Sequence, residues 1–128
     1  MEYSFNKMLD MSFGEAINKV TDELKKEGFT LLSDIDVEAT LKKKLDVDFR
    51  RYRILGACNP SFAYKALMVE SRIGTMLPCN VIVQEIEPGK NEVSAVDPIA
   101  SMQAIENPGL RDIAIQIRVK LKKLIESL

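Results

Sequence analysis

Apolar and polar positions recur with two different periods along this chain, and the switches between them mark its elements. From Glu2 to Met8 the alternation is by twos, Tyr3 and Phe5 against Ser4 and Asn6, which predicts a strand. The period then lengthens: Phe13, Ala16, Ile17, Val20 and Leu24 fall on one helical face. Ser12 and Glu15 have capping-box spacing at the start of that helix, Lys25 and Lys26 complement the negative end of its dipole, and Gly28 supplies the stop. Phe29 to Ile35 predicts a second strand, with Phe29, Leu31 and Ile35 on one side. Asp36 then caps a short helix from Val37 to Leu45, acidic early at Glu38 and basic late at Lys42, Lys43 and Lys44. Phe49 to Ala57 predicts a third strand, on which Tyr52, Ile54, Gly56 and Cys58 share one parity and Arg51, Arg53 and Leu55 the other.

Asn59-Pro60 opens the next helix, with Asn59 as a good N-cap and Pro60 at the first helical position, where no N–H bond is lost. Phe62, Ala63, Ala66 and Leu67 give it an apolar face, and Gly74 ends it. Cys79 to Ile86 predicts a fourth strand, apolar on both sides at Val81, Ile82 and Val83 and therefore central in its sheet. Pro88-Gly89-Lys90-Asn91 is a turn into a fifth strand, Glu92 to Val96. Asp97-Pro98 starts a short helix running through Met102 and Ile105, and Asn107-Pro108 starts the last one, with Ile113, Ile117, Leu121 and Leu124 as its stripe. The order fits an α+β fold: one mainly antiparallel sheet of about five strands with helices packed mostly on one face.

Composition narrows the chemistry. The chain has 128 residues, one domain's length, so a single domain over 1–128 is expected. The net charge of −1 offers no cationic surface for nucleic acid, and no nucleic-acid partner is expected. Histidine is absent, which removes Ser-His-Asp triads, His-zinc sites and imidazole acid–base catalysis. Two cysteines cannot supply a four-thiolate centre within one chain. There is no Walker motif and no GxGxxG. The basic residues Lys42 to Lys44, Arg50, Arg51 and Arg53 are interleaved with Asp34, Asp36, Glu38, Asp46 and Asp48, a solvated mixed surface. The N-terminus has no signal-peptide pattern and no run is long enough to span a bilayer, so a cytoplasmic protein with reduced thiols and no membrane partner is expected.

What remains is a repeated dipeptide. Cys58-Asn59 is followed by Pro60, and Cys79-Asn80 is preceded by Pro78. If the intervening helix returns the chain antiparallel, the end of one strand lies beside the start of the next and the thiols become neighbours. Cys58 would then sit before a helix start, where free N–H groups favour a thiolate and lower its pKa. The same placement also suits an inert small residue beside Gly56 and Ala57. Asn59 and Asn80 could aim amides into one cleft, although Asn59 also serves as a helix cap, and Asp97 is either a rim carboxylate or a cap. Three readings stay open: a binding or sensing domain holding a small polar ligand, a soft metal or a sulfur species at Cys58 and Cys79; a thiol-redox or sulfur-transfer enzyme using both; or a structural or oligomerisation module in which the thiols merely pack. A soft metal at Cys58 and Cys79 could borrow sulfur from Met68 or Met76.

The segments GFTLLSDIDVEATLKKKLDVDFRRYRILGACNP, LPCNVIV and VSAVDP together resemble the domain-of-unknown-function family 302. The resemblance implies a TBP-like architecture, strand, helix, four strands, helix, around a curved antiparallel sheet, and it implies a homodimer. It makes Cys58, Asn59, Pro60, Pro78, Cys79 and Asn80 signature residues and supplies no activity or cofactor.

Overall fold

The computed structural model describes residues 2–128. Five strands form one antiparallel sheet: β1 (Ser4–Leu9), β2 (Thr30–Asp36), β3 (Tyr52–Cys58), β4 (Cys79–Glu87) and β5 (Lys90–Val96), in the spatial order β1-β5-β4-β3-β2. The fold is the expected TBP-like α+β arrangement, and β4, apolar on both faces, is the middle strand. Among the described residues, α1 (Phe13–Lys26), α2 (Val37–Leu45) and α3 (Pro60–Val69) lie between strands, and α4 (Pro98–Ser101) and α5 (Pro108–Ser127) follow β5.

Register places the core on one sheet face. Leu55 opposes Val81, Val81 opposes Ala95, and Val83 opposes Val93, and all of these are buried. Directly opposed residues share a face, so these side chains form the floor on which the helices lie. Ala16, Val20 and Leu24 of α1 and Leu121 and Leu124 of α5 complete that core. The two helices start as their sequences require: the Ser12 hydroxyl accepts the Glu15 N–H, and the Asn107 side-chain oxygen accepts the Leu110 N–H. Gly28 ends the α1 segment at φ +85°, a conformation in which a Cβ is costly.

Three local expectations give way. A bulge between Leu31 and Ser33 inverts the facing of β2, so Leu31 opposes the buried Ala57 while Ile35 opposes Ile54 on the open face. Ile35 therefore does not share a side with Phe29 and Leu31. The third strand begins at Tyr52 rather than Phe49. The helix after Cys58 stops at Val69, not at Gly74, and a 3-10 turn from Ser71 to Met76 follows. The Asn107 amide donates to the Val69 carbonyl at 2.8 Å, capturing a group that would otherwise end the helix unbonded.

The other sheet face is uncovered and lined by Asn6, Tyr52, Asn80, Ile82, Gln84 and Ser94. Among the described residues no side chain of α2 is fully buried. No helix among them is long and apolar enough to cross a membrane.

Candidate functional site

The antiparallel return from β3 to β4 brings the two cysteine-bearing strand ends side by side. Cys79 lies directly opposite Ala57, the residue before Cys58. Opposed Cα atoms about 5 Å apart and consecutive ones about 3.8 Å apart put the Cys58 and Cys79 Cα atoms about 6 Å from one another. The Cα span is within disulfide range, but alternation points the two side chains to opposite sheet faces, and both thiols are free. Residues Cys58 and Cys79 both border one cavity of about 20 Å³, enough for a single water-sized occupant. Its remaining walls are mostly hydrocarbon, with Phe29 and Ala57 from the sheet side, Ala63 and Ala66 from α3, and Leu110, Ala114 and Ile117 from α5.

The local sequence explains why the walls close. Gly56 has no Cβ, and one placed there would lie 2.9 Å from the Pro78 Cγ and would also strike the Ser33 hydroxyl. Glycine thus lets the Pro78 ring, after a cis Leu77–Pro78 peptide, press against β3 and seal the corner. Pro60 occupies the first turn of α3 and is exposed, outside the cavity wall.

Burial governs the thiols. It pushes the Cys79 thiol up to about 11, and the nearby Cys58 sulfur adds to the rise. Burial raises Cys58 as well. The depressed thiolate pKa expected at the start of α3 is thus reversed by desolvation, and a nucleophilic Cys58 loses its main support.

The asparagines do not converge. Asn59 stands at the N-cap position of α3 and lines the cavity, but its side chain makes no cap hydrogen bond. Its Nδ2 instead lies 3.4 Å from where a Cβ on Gly28 would be. Asn80 opposes Gly56 on the uncovered sheet face, because successive strand residues point to opposite sides. The shared amide cleft is therefore absent from this fold. Asp97 is committed elsewhere: one oxygen accepts the Ile99 N–H at 3.0 Å, capping α4, and the other accepts from Arg118 Nε at 3.1 Å. The Arg118 guanidinium also lies over the Phe5 ring, so Asp97 ties α4 and α5 to the β1 side of the sheet.

The sulfur neighbours also differ from expectation. Met68 and Met76 are exposed, whereas Met102, 6% exposed, lines the thiol cavity. Nothing in the spacing of Met102 from either cysteine announces this, since the fold-back of α4 and α5 over the sheet end puts it there. Met102, Leu110 and Ala114 also wall an adjoining groove of about 360 Å³ that carries Arg111 and Glu106. Among the described residues no three His, Cys, Asp or Glu side chains cluster to hold a metal ion.

A single open antiparallel sheet, helices on one face and two free cysteines at one sheet end define a small α+β domain. The family's sequence profile, described as "Domain of unknown function DUF302", matches residues 5–128, and the chain belongs to that family. It is similar to a solved structure, an uncharacterized conserved DUF302 protein from Bacillus stearothermophilus, with a TM-score of 0.89, 27% identity and 98% of each chain covered. A search of curated proteins finds no match.

Proposed function

We propose that this protein is a small binding or sensing domain that takes a thiophilic occupant, a soft metal ion or a sulfur species, at the corner shared by Cys58 and Cys79. The observation that carries this reading is that Cys58 and Cys79, free cysteines at neighbouring strand ends, both border one mostly hydrocarbon cavity of about 20 Å³. That size favours a single-atom occupant over a multi-atom polar ligand. The test is a thermal-shift and native-mass panel of Cu(I), Ag(I), Cd(II), Hg(II) and a polysulfide against the wild-type chain and Cys58→Ala/Cys79→Ala. At least one thiophile stabilises the wild type and not the double variant. If none does, the cysteines only pack.

A second copy of the chain as partner has separate support in α2. Its apolar residues, Leu45 among them, are incompletely covered, and Ile35, Val47 and Phe49 nearby are exposed. The helix begins acidic, at Asp36 and Glu38, and ends basic, at Lys42 to Lys44. Two copies related by a two-fold axis would lay acidic start against basic end.

A further inference from the structure

The sheet face opposite the helices gathers polar side chains whose hydrogen-bonding capacity is mostly unused. Asn80, Ile82 and Gln84 alternate along β4 and share that face. Tyr52 opposes Gln84 from β3, Glu92 and Ser94 oppose Gln84 and Ile82 from β5, and Asn6 opposes Ser94 from β1. Directly opposed residues project to one side, and all of these border one open hollow of about 350 Å³. We infer that this hollow binds an uncharged sugar of one or two rings. Its hydroxyls would bond to Asn6, Asn80, Gln84, Glu92 and Ser94, and its C–H face would rest on Ile82 and Tyr52.

Unmet hydrogen bonds carry the assignment. Ser94 lies on an interior strand and is 9% exposed, yet its hydroxyl meets no side-chain partner among the described residues. A polar group buried to that degree normally has a partner. Gln84 Nε2 donates to Glu92 Oε1 at 3.2 Å. That bond holds the two side chains together and leaves the Gln84 amide oxygen and the second Glu92 oxygen open. The Ser4 hydroxyl donates to Asn6 Oδ1 at 2.9 Å, while Asn6 Nδ2 reaches only the Ser4 carbonyl, at 3.5 Å. Asn80 is exposed beside them.

These groups select the chemistry of the ligand. Amides and hydroxyls both donate and accept, and a carboxylate only accepts. A sugar hydroxyl also does both, so several on one ring can meet the whole set without a fixed charge. No lysine or arginine borders the hollow, and its acidic group is Glu92. A phosphate, a carboxylate or a nucleic acid would therefore meet repulsion and no compensating cation. A polyamine would satisfy Glu92 and leave the amides and Ser94 unmet. Strand spacing puts Asn6, Ser94 and Ile82 along a line of about 10 Å, and two residues along a strand add about 7 Å. The volume of about 350 Å³ lies at the small end of the roughly 300–1,000 Å³ usual for small-molecule sites.

The experiment is an amide NMR titration of the full chain with glucose, galactose, mannose, N-acetylglucosamine, maltose and cellobiose, with glucuronate and spermidine as charged counterparts. At least one neutral sugar shifts the amides around Asn6, Gln84 and Ser94 and saturates, while glucuronate and spermidine bind about tenfold more weakly or not at all. Ser94→Ala removes one neutral hydrogen bond, and Glu92→Gln keeps the shape and removes the charge. Each weakens that sugar about fivefold. Circular dichroism and melting confirm that both variants fold, and the comparison with charged ligands needs only the wild type. Silence across the neutral sugars, equal binding of glucuronate or spermidine, shifts confined to other surfaces, or unchanged affinity in both variants overturns the assignment. Shifts of the same amides on concentrating the chain alone overturn it in favour of a second copy on this face. None of these outcomes bears on the thiol corner, which lies at the end of β3 and β4 and is tested separately.

Discussion

Cys79 makes a specific demand on the pH dependence of stability. Its thiol is pushed by burial from an ordinary value of 9.0 to about 11 in the folded chain, while the unfolded chain exposes it to water. A raised folded-state pKa means that the folded protein holds its proton longer. Below about pH 8 both states are protonated and Cys79 adds no slope. As pH climbs through the unfolded value, the unfolded chain releases the proton first and stability falls. The loss is about 1.4 kcal/mol by pH 10 and levels off near about 2.7 kcal/mol above pH 11, roughly 1.4 kcal/mol for each pH unit separating the unfolded and folded values. Urea unfolding under a phosphine reductant, in steps from about pH 7.5 to 10.5, measures this directly. Lysines and tyrosines titrate in the same range, so the quantity to read is the difference between wild type and Cys79→Ala. The variant loses a constant increment from its smaller side chain but lacks the alkaline decline. Parallel pH profiles for the two proteins would refute the buried, protonated thiol and weaken the account of the cavity with it.

Two further outcomes test the surroundings of that corner. Gly56→Ala forces a methyl group against the Pro78 ring, which cannot rotate away, so it costs about 1–3 kcal/mol, or a melting-temperature drop on the order of 3–10 °C, and speeds maleimide labelling of Cys79. An unchanged melting temperature would show that β3 and Pro78 are not in close contact. Leu45→Glu places a charge on the exposed end of α2 and should shift sedimentation toward the monomer while leaving the melting of the isolated chain within about 0.5 kcal/mol. A wild-type chain that stays monomeric at all concentrations removes the second-copy reading.

What could be read from residue order was set by local physics. Helix α1 carries its cap, its apolar face, its terminal lysines and its glycine stop within one continuous stretch, and α5 carries its Asn107 cap and aliphatic stripe in the same way. The hairpin from β4 to β5 follows from the Pro88-Gly89 turn. Features that depend on a distant partner were not legible. The end of α3 is set by Asn107, far along the chain. The facing of Ile35 is set by a bulge that no alternation announces.

The corner divides along the same line. Adjacency of Cys58 and Cys79 needs only an antiparallel return between two strands, which the intervening helix makes natural. Convergence of Asn59 and Asn80 at the cavity would have required Asn80 to share a side with Cys79, and an extended backbone forbids that: once Cys79 faces the helices, Asn80 must face the open side. Asp97 had two possible roles, and the cap holds through the nearby Ile99 N–H, while its second oxygen takes Arg118 on the last helix, a partner that sequence proximity does not reveal. Met102 is the same kind of case. It borders the cavity only because α4 packs against α5, so its place there is a property of packing rather than of motif. A repeated dipeptide can thus identify which strand ends lie side by side, while the side chains that close the space around them come from elements that happen to cover it.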